Sequence, residues 1–146
     1  MLKQITVFLE NKPGRLEDVT GRLADENINI HALSIADTTD FGILRMIVSD
    51  TEKTERVLRD NGFMVRTAEV VAVAIGHTPG SLHKVLRVLK TLDISVEYLY
   101  AFTSRHKDYD AIVILSLNNQ EAALEKLKSG GFEVLGDNLL DSLNET

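Results

Sequence analysis

The stretch Glu10-Asn11-Lys12-Pro13-Gly14-Arg15-Leu16 is the part of the chain whose residue types and spacing could hold a small charged molecule. Alternating apolar residues precede it and a helix-period pattern follows it, so it sits where a strand hands over to a helix. The first turn of a helix presents unpaired backbone N–H groups and the positive end of the helix dipole. Such an end is a natural seat for a carboxylate or a phosphate. Gly14 has no Cβ and lets another molecule approach the backbone closely. Asn11 carries both a donor and an acceptor, which suits a ligand bearing an ammonium and a carboxylate. The same Pro-Gly pair also does something simpler, since proline is favoured in a first helical turn and shapes the strand-to-helix corner by itself. From these residues alone both readings stand.

Other chemistries find less support. The chain has no cysteine, which removes disulfides, thiolate metal sites and cysteine nucleophiles. The histidines His31, His77, His83 and His106 lack the close spacing of a zinc site, so no metal or other cofactor is expected. There is no Ser-His-Asp pattern, phosphate-binding Walker loop or glycine-rich dinucleotide fingerprint. The chain therefore does not read as an enzyme, although convergent Asp, Glu and His side chains would keep that alternative open. A net charge of −6 argues against a nucleic-acid partner, which needs Lys and Arg to neutralise phosphates. Tyr98, Tyr100 and Phe102 alternate along one strand, but without interleaved basic residues they read as a core or interface face rather than a base-stacking platform. No apolar run approaches the ~20 residues of a membrane span, and the N-terminus does not read as a signal peptide. These features fit a cytoplasmic protein.

The elements around the loop repeat. Pro13-Gly14 recurs as Pro79-Gly80, and at the same offset Leu16, Val19 and Leu23 meet Leu82, Val85 and Leu89. Ile5, Val7 and Leu9 fall on Val71, Val73 and Ile75 in the same way. Further along, Gly62-Phe63 meets Gly131-Phe132, so the second copy has a few more residues. They are expected in the connection between its middle strands, around Thr103 to Asp110. Matched apolar positions before, within and after a helix are the mark of a duplicated unit.

Periodicity outlines that unit. Ile5, Val7 and Leu9 alternate as a strand; Leu16, Val19 and Leu23 mark one face of a helix from about Arg15 to Glu26. Ile28, Ile30 and Ala32 restore alternation, Thr38-Thr39-Asp40 reads as a turn, and Gly42 to Val48 is a nearly continuous apolar strand. Asp50 or Thr51 can cap a second helix that turns Val57 and Leu58 inward, and Asn61-Gly62 ends it. Phe63 to Ala68 closes the order β-α-β-β-α-β, which right-handed crossovers fold into a four-stranded antiparallel sheet with two helices on one face. The chain is thus expected to be α+β, two tandem ferredoxin-like βαββαβ units over residues 1–69 and 70–146. They are joined only by Ala68-Glu69-Val70, and a polar tail runs from Asp141 to Thr146.

The loop at Glu10 to Leu16, followed by Asn27-Ile28-Asn29-Ile30, resembles the ACT domain. The second copy shows the same frame as His77-Thr78-Pro79-Gly80-Ser81-Leu82 and Asp93-Ile94-Ser95-Val96. The resemblance implies a regulatory module that binds an amino acid where two units pair. It assigns Asn11 and the backbone of Lys12, Pro13, Gly14, Arg15 and Leu16 to the ligand's α-amino and carboxylate groups, and places Asn29 at the same interface. Ile30 and His31, beside Asn29, could meet the ligand side chain. In the second copy His77 stands for Asn11 and Ser95 for Asn29, so His77, Thr78, Pro79, Gly80, Ser81, Leu82 and Ser95 are only candidates for a second site: they either form one of different selectivity or serve as a partner wall to the first. The expected partners are a small-molecule amino acid, a second copy of the chain as a homodimer, and a separate enzyme under allosteric control. An interaction module that binds no metabolite is the alternative, and a small enzyme on this fold is a more remote one.

Overall fold

The computed structural model describes residues 1–38, 40–138 and 142–143. Among these residues the chain forms two compact units, one built on Lys3–Ala68 with residues 142–143 and one on residues 69–138 with Met1–Leu2.

The first unit contains β1 (Leu2–Glu10), α1 (Arg15–Asp25), β2 (Ile30–Asp37), β3 (Phe41–Val48), α2 (Thr51–Asp60) and the leading residues of β4 (Met64–Ile75). β1 is central, between β3 and β4, and β2 lies outside β3. The antiparallel register sets Ile5 opposite Met46 and Glu10 opposite Phe41, with Asp37 opposite Gly42 on the other side of β3. Ile5, Val7, Leu9, Leu44 and Met46 therefore share one face. Val19 and Leu23 of α1 and Leu58 of α2 close over it. Each fully buried side chain of this kind contributes about 1.5–3 kcal/mol.

The second unit takes the trailing residues of β4, then α3 (Ser81–Thr91), β5 (Val96–His106), β6 (Tyr109–Leu117), α4 (Gln120–Ser129) and β7 (Glu133–Leu135). β4 pairs with β6 and β7, and β5 pairs with β6. Val71, Val73, Val113 and Leu115 pack under Val85, Leu89, Ala123 and Leu127. Both units are ferredoxin-like βαββαβ folds, as the periodicity predicts.

The differences from expectation are local. The last strand of the first unit and the first of the second are one unbroken 12-residue strand, because nothing in the valine-rich run through Val65, Val70, Val71 and Val73 breaks it. The extra residues of the second copy do not lengthen its middle connection. They extend β5 to 11 residues, and a tight Lys107-Asp108 corner with Lys107 at φ 53° turns the chain into β6. On α2 it is Thr54, not Val57, that is buried beside Leu58; its hydroxyl donates to the Asp50 carbonyl at 2.7 Å. Asp50 is the cap, its carboxylate accepting from the Lys53 N–H at 3.0 Å. Thr39 of the predicted turn and most of the predicted tail, save Ser142 and Leu143, lie outside the described residues.

Candidate functional site

The β1–α1 loop turns on Gly14, which takes φ 84° and starts α1 without any side-chain cap. Only glycine occupies that conformation without strain. A Cβ placed there would meet nothing within 4 Å, so the space before the helix N-terminus is open. The loop forms one wall of a cleft of about 420 Å3, with Glu10, Asn11, Lys12 and Arg15 on one side and Ile35 and Gly42 on the other.

Its charges are organised around Glu10. Lys12 Nζ lies 2.9 Å from Glu10 Oε2, and Arg15 Nη2 lies 3.1 Å from Glu10 Oε1. The Lys12 ammonium, and then the Arg15 guanidinium, hold the Glu10 carboxyl below the usual carboxylate range. Arg15 also reaches Asp18 at 3.6 Å and stacks over the Phe63 ring at 5.4 Å. The loop thus presents a carboxylate and a guanidinium beside a helix start that no side chain caps, which is the complement of a zwitterion.

Asn11 donates through Nδ2 to the Thr38 carbonyl at 3.1 Å. Thr38 in turn locks the β2–β3 connection, its hydroxyl donating to the Phe41 carbonyl at 2.7 Å. Ile35, Asp37 and Gly42 are cleft residues that the motif did not reveal, and Thr38 is the residue that ties Asn11 in place. The topology carried the signal, since β-α-β-β order returns the β2–β3 turn to the end where β1 hands over to α1.

Asn29, Ile30 and His31 lie elsewhere. They stand at the start of β2, whose eight residues span about 25 Å at the usual rise per residue, so within one unit they are at the far end of the sheet from the loop. The Asn29 N–H donates to Ser49 Oγ at 2.9 Å, and the Ser49 N–H returns to the Asn29 carbonyl at 2.9 Å.

The second unit repeats the frame with other side chains. Gly80 takes φ 88° and starts α3 uncapped. Its loop lines a cleft of about 340 Å3 with His77, Thr78, Pro79, Ser81 and Leu82. Thr78 and Ser81 hydroxyls share a 2.8 Å hydrogen bond where the first unit has its Lys12–Glu10–Arg15 cluster, because Gly76 replaces Glu10 and Ser81 replaces Arg15. At the other end the pairing is kept with its residue types exchanged, the Ser95 N–H donating to Asn118 Oδ1 at 3.0 Å. Among the described residues no group of three or more His, Asp or Glu side chains could hold a metal ion, and no helix is long and apolar enough to cross a membrane.

Comparison with known proteins bears on this geometry. The family model described as an ACT domain pair matches residues 1–143. No curated protein matches the sequence. Among solved structures, protein BT0572 from Bacteroides thetaiotaomicron is 43% identical, covers 92% of this chain and 91% of its own, and superposes with a TM-score of 0.85. The ligand-free regulatory subunit of aspartate kinase from Thermus thermophilus shares the fold at 16% identity and a TM-score of 0.59, over 87% of this chain and 90% of that one. The structure of aspartokinase alpha and beta subunits does so at 19% identity and a TM-score of 0.57, with the same coverage of 87% and 90%.

Proposed function

Since the chain belongs to the ACT domain pair family, we propose that it is a regulatory module that binds a free amino acid at the β1–α1 loop of its first unit and transmits that binding to a separate enzyme. One observation carries the reading. The first loop sets an ionised carboxylate, a guanidinium and an uncapped helix N-terminus around an open cleft, while the second loop offers hydroxyls and a histidine instead. The ligand's carboxylate faces the helix N-terminus and its ammonium faces Glu10. Asn11 orders the cleft by tying the loop to Thr38. The protein acts by binding rather than by catalysis, and its domains divide at about residue 69.

A second copy completes the arrangement. β2 ends the sheet order on its side and leaves Leu33 and Ile35 47% and 49% exposed, with Leu16 nearby in sequence to the loop at 36%. An apolar strip on an unpaired edge invites pairing. Ile35 belongs to both the strip and the cleft wall, so a homodimer formed there closes the cleft and brings a partner's residues to the ligand. Ile35→Lys is expected to turn the dimer into a monomer in sedimentation velocity.

The test of the amino-acid reading is a thermal-shift screen of the twenty amino acids. A ligand at about 100 times its dissociation constant stabilises the native state by about 2.7 kcal/mol, which is several degrees for a chain of this size. No shift with any of them at millimolar concentration would sink the reading.

A further inference from the structure

We propose that the amino acid bound by the first unit has an aromatic side chain, and that this side chain occupies an apolar cavity on the far side of the Glu10–Arg15 pair from the polar cleft. The inference rests on the amino-acid reading and adds the ligand's class to it. The cavity measures about 270 Å3 and is walled by Phe8, Phe41, Phe63 and Met64, with Glu10 and Arg15 at its polar border. Those last two residues also line the polar cleft, so a single ligand can use both.

The wall is built for a ring. Phe8 of β1, Phe41 of β3 and Phe63 of the turn after α2 converge on it, and aromatic pairs favour offset or edge-to-face contact beyond their simple burial. Phe41 is 50% exposed and Met64 68% exposed, leaving at the rim the apolar surface that an occupant would cover. Arg15 is held in place by Glu10, Asp18 and the Phe63 ring. Its terminal nitrogens are engaged by Glu10 and Asp18, so the ligand carboxylate is taken by the uncapped start of α1. Glu10, kept ionised by Lys12 and Arg15, accepts the ammonium. The volume lies just below the ~300 Å3 at which small-molecule pockets begin, so it suits one ring and excludes a nucleotide.

The second unit shows what is particular to the first. Its corresponding cavity, about 240 Å3, keeps Phe132 but is lined by Ala74, Gly76, Ser81 and Glu133 where the first has Phe8, Glu10, Arg15 and Met64. Glu133 is itself held by Lys107 at 2.7 Å. Tyr109 is its second aromatic residue, so two rings line it where three line the first, and no Glu–Arg pair stands among its lining residues.

Calorimetric titration of the full chain with L-phenylalanine and L-serine tests the proposal, using wild type, Phe41→Ala, Met64→Glu and Gly14→Ala. L-phenylalanine is expected to bind at least tenfold tighter than L-serine. Phe41→Ala is expected to weaken L-phenylalanine at least tenfold while leaving L-serine within twofold. Phe41 and Met64 are rim residues, and the two variants provide independent tests should one fold poorly by its melting curve. Equal affinities for the two amino acids, or L-phenylalanine binding indifferent to both rim variants, overturns the aromatic cavity. In that case amino-acid binding that Gly14→Ala weakens still upholds the loop as the site. Binding of neither probe overturns the cavity proposal, and the twenty-amino-acid screen then decides the broader reading by itself.

Discussion

The two strand-to-helix loops have the same backbone and different chemistry. Gly14 and Gly80 adopt φ 84° and 88°, each starts an uncapped helix, and each helix buries a Val and a Leu at matching positions. Yet the first loop carries the Lys12–Glu10–Arg15 cluster and the second a Thr78–Ser81 hydroxyl pair. A backbone held by buried neighbours resists change, because each core position must fill its space. Exposed loop side chains meet no such demand and are free to diverge. The duplication therefore kept the scaffold in both units and a charged cleft in one.

The largest effect should fall equally on the two units. Leu23→Ala and Leu89→Ala remove matched buried side chains, and each is expected to cost about 2–5 kcal/mol in denaturant unfolding. A cost confined to one unit would break the claim of a shared scaffold. The next effect should be unequal. Asn11→Ala releases the loop from Thr38 and is expected to weaken amino-acid binding by about 1–3 kcal/mol, whereas His77→Ala leaves it unchanged; equal losses by calorimetry would show two working sites.

The smallest effect concerns acid. Glu10 is lowered by Lys12 and Arg15, and Glu133 by Lys107 and His106. Both carboxyls titrate lower in the folded chain than in the unfolded one. Their contribution is thus complete above pH 4.5 and is lost as the pH falls through the folded-state values. Lys107 is raised by Glu133, so its share is present below pH 10.5 and fades as the pH rises through its folded-state value. These groups are exposed, and water and salt screen them. Glu10→Gln and Glu133→Gln should each flatten the acid limb of the stability curve slightly, and about 1 M salt, with a Debye length of ~3 Å, should erase the difference from wild type.

The fold was largely legible because its determinants are local. The alternation of Ile5, Val7 and Leu9, the helical spacing of Leu16, Val19 and Leu23, and the two Pro-Gly corners each act over a few residues. Asn27 and Asp93, at φ 57° and 54°, end α1 and α3 where the pattern stops. What escaped was the balance between neighbouring elements: an unbroken β4, longer strands β5 and β6, and Thr54 in place of Val57. Those depend on pairing partners and on hydrogen bonds to residues such as Asp50, which periodicity does not encode.

The site divides in the same way. The loop residues and their place between strand and helix follow from the chain order, whereas the positive φ of Gly14, which leaves Pro13 outside the helix, does not. The company the loop keeps was decided by tertiary structure. Antiparallel register brings Phe41 opposite Glu10, sheet topology returns Thr38 to Asn11, and the turn after α2 sets Phe63 beneath Arg15. Phe8, Phe41 and Phe63 are far apart in sequence, and no local spacing announces that they line one cavity. Sequence alone therefore determined a duplicated scaffold with one charged loop, because apolar period and turn chemistry are short-range. Only the folded chain decided what that loop can recognise, because recognition requires side chains that backbone pairing brings together from distant positions.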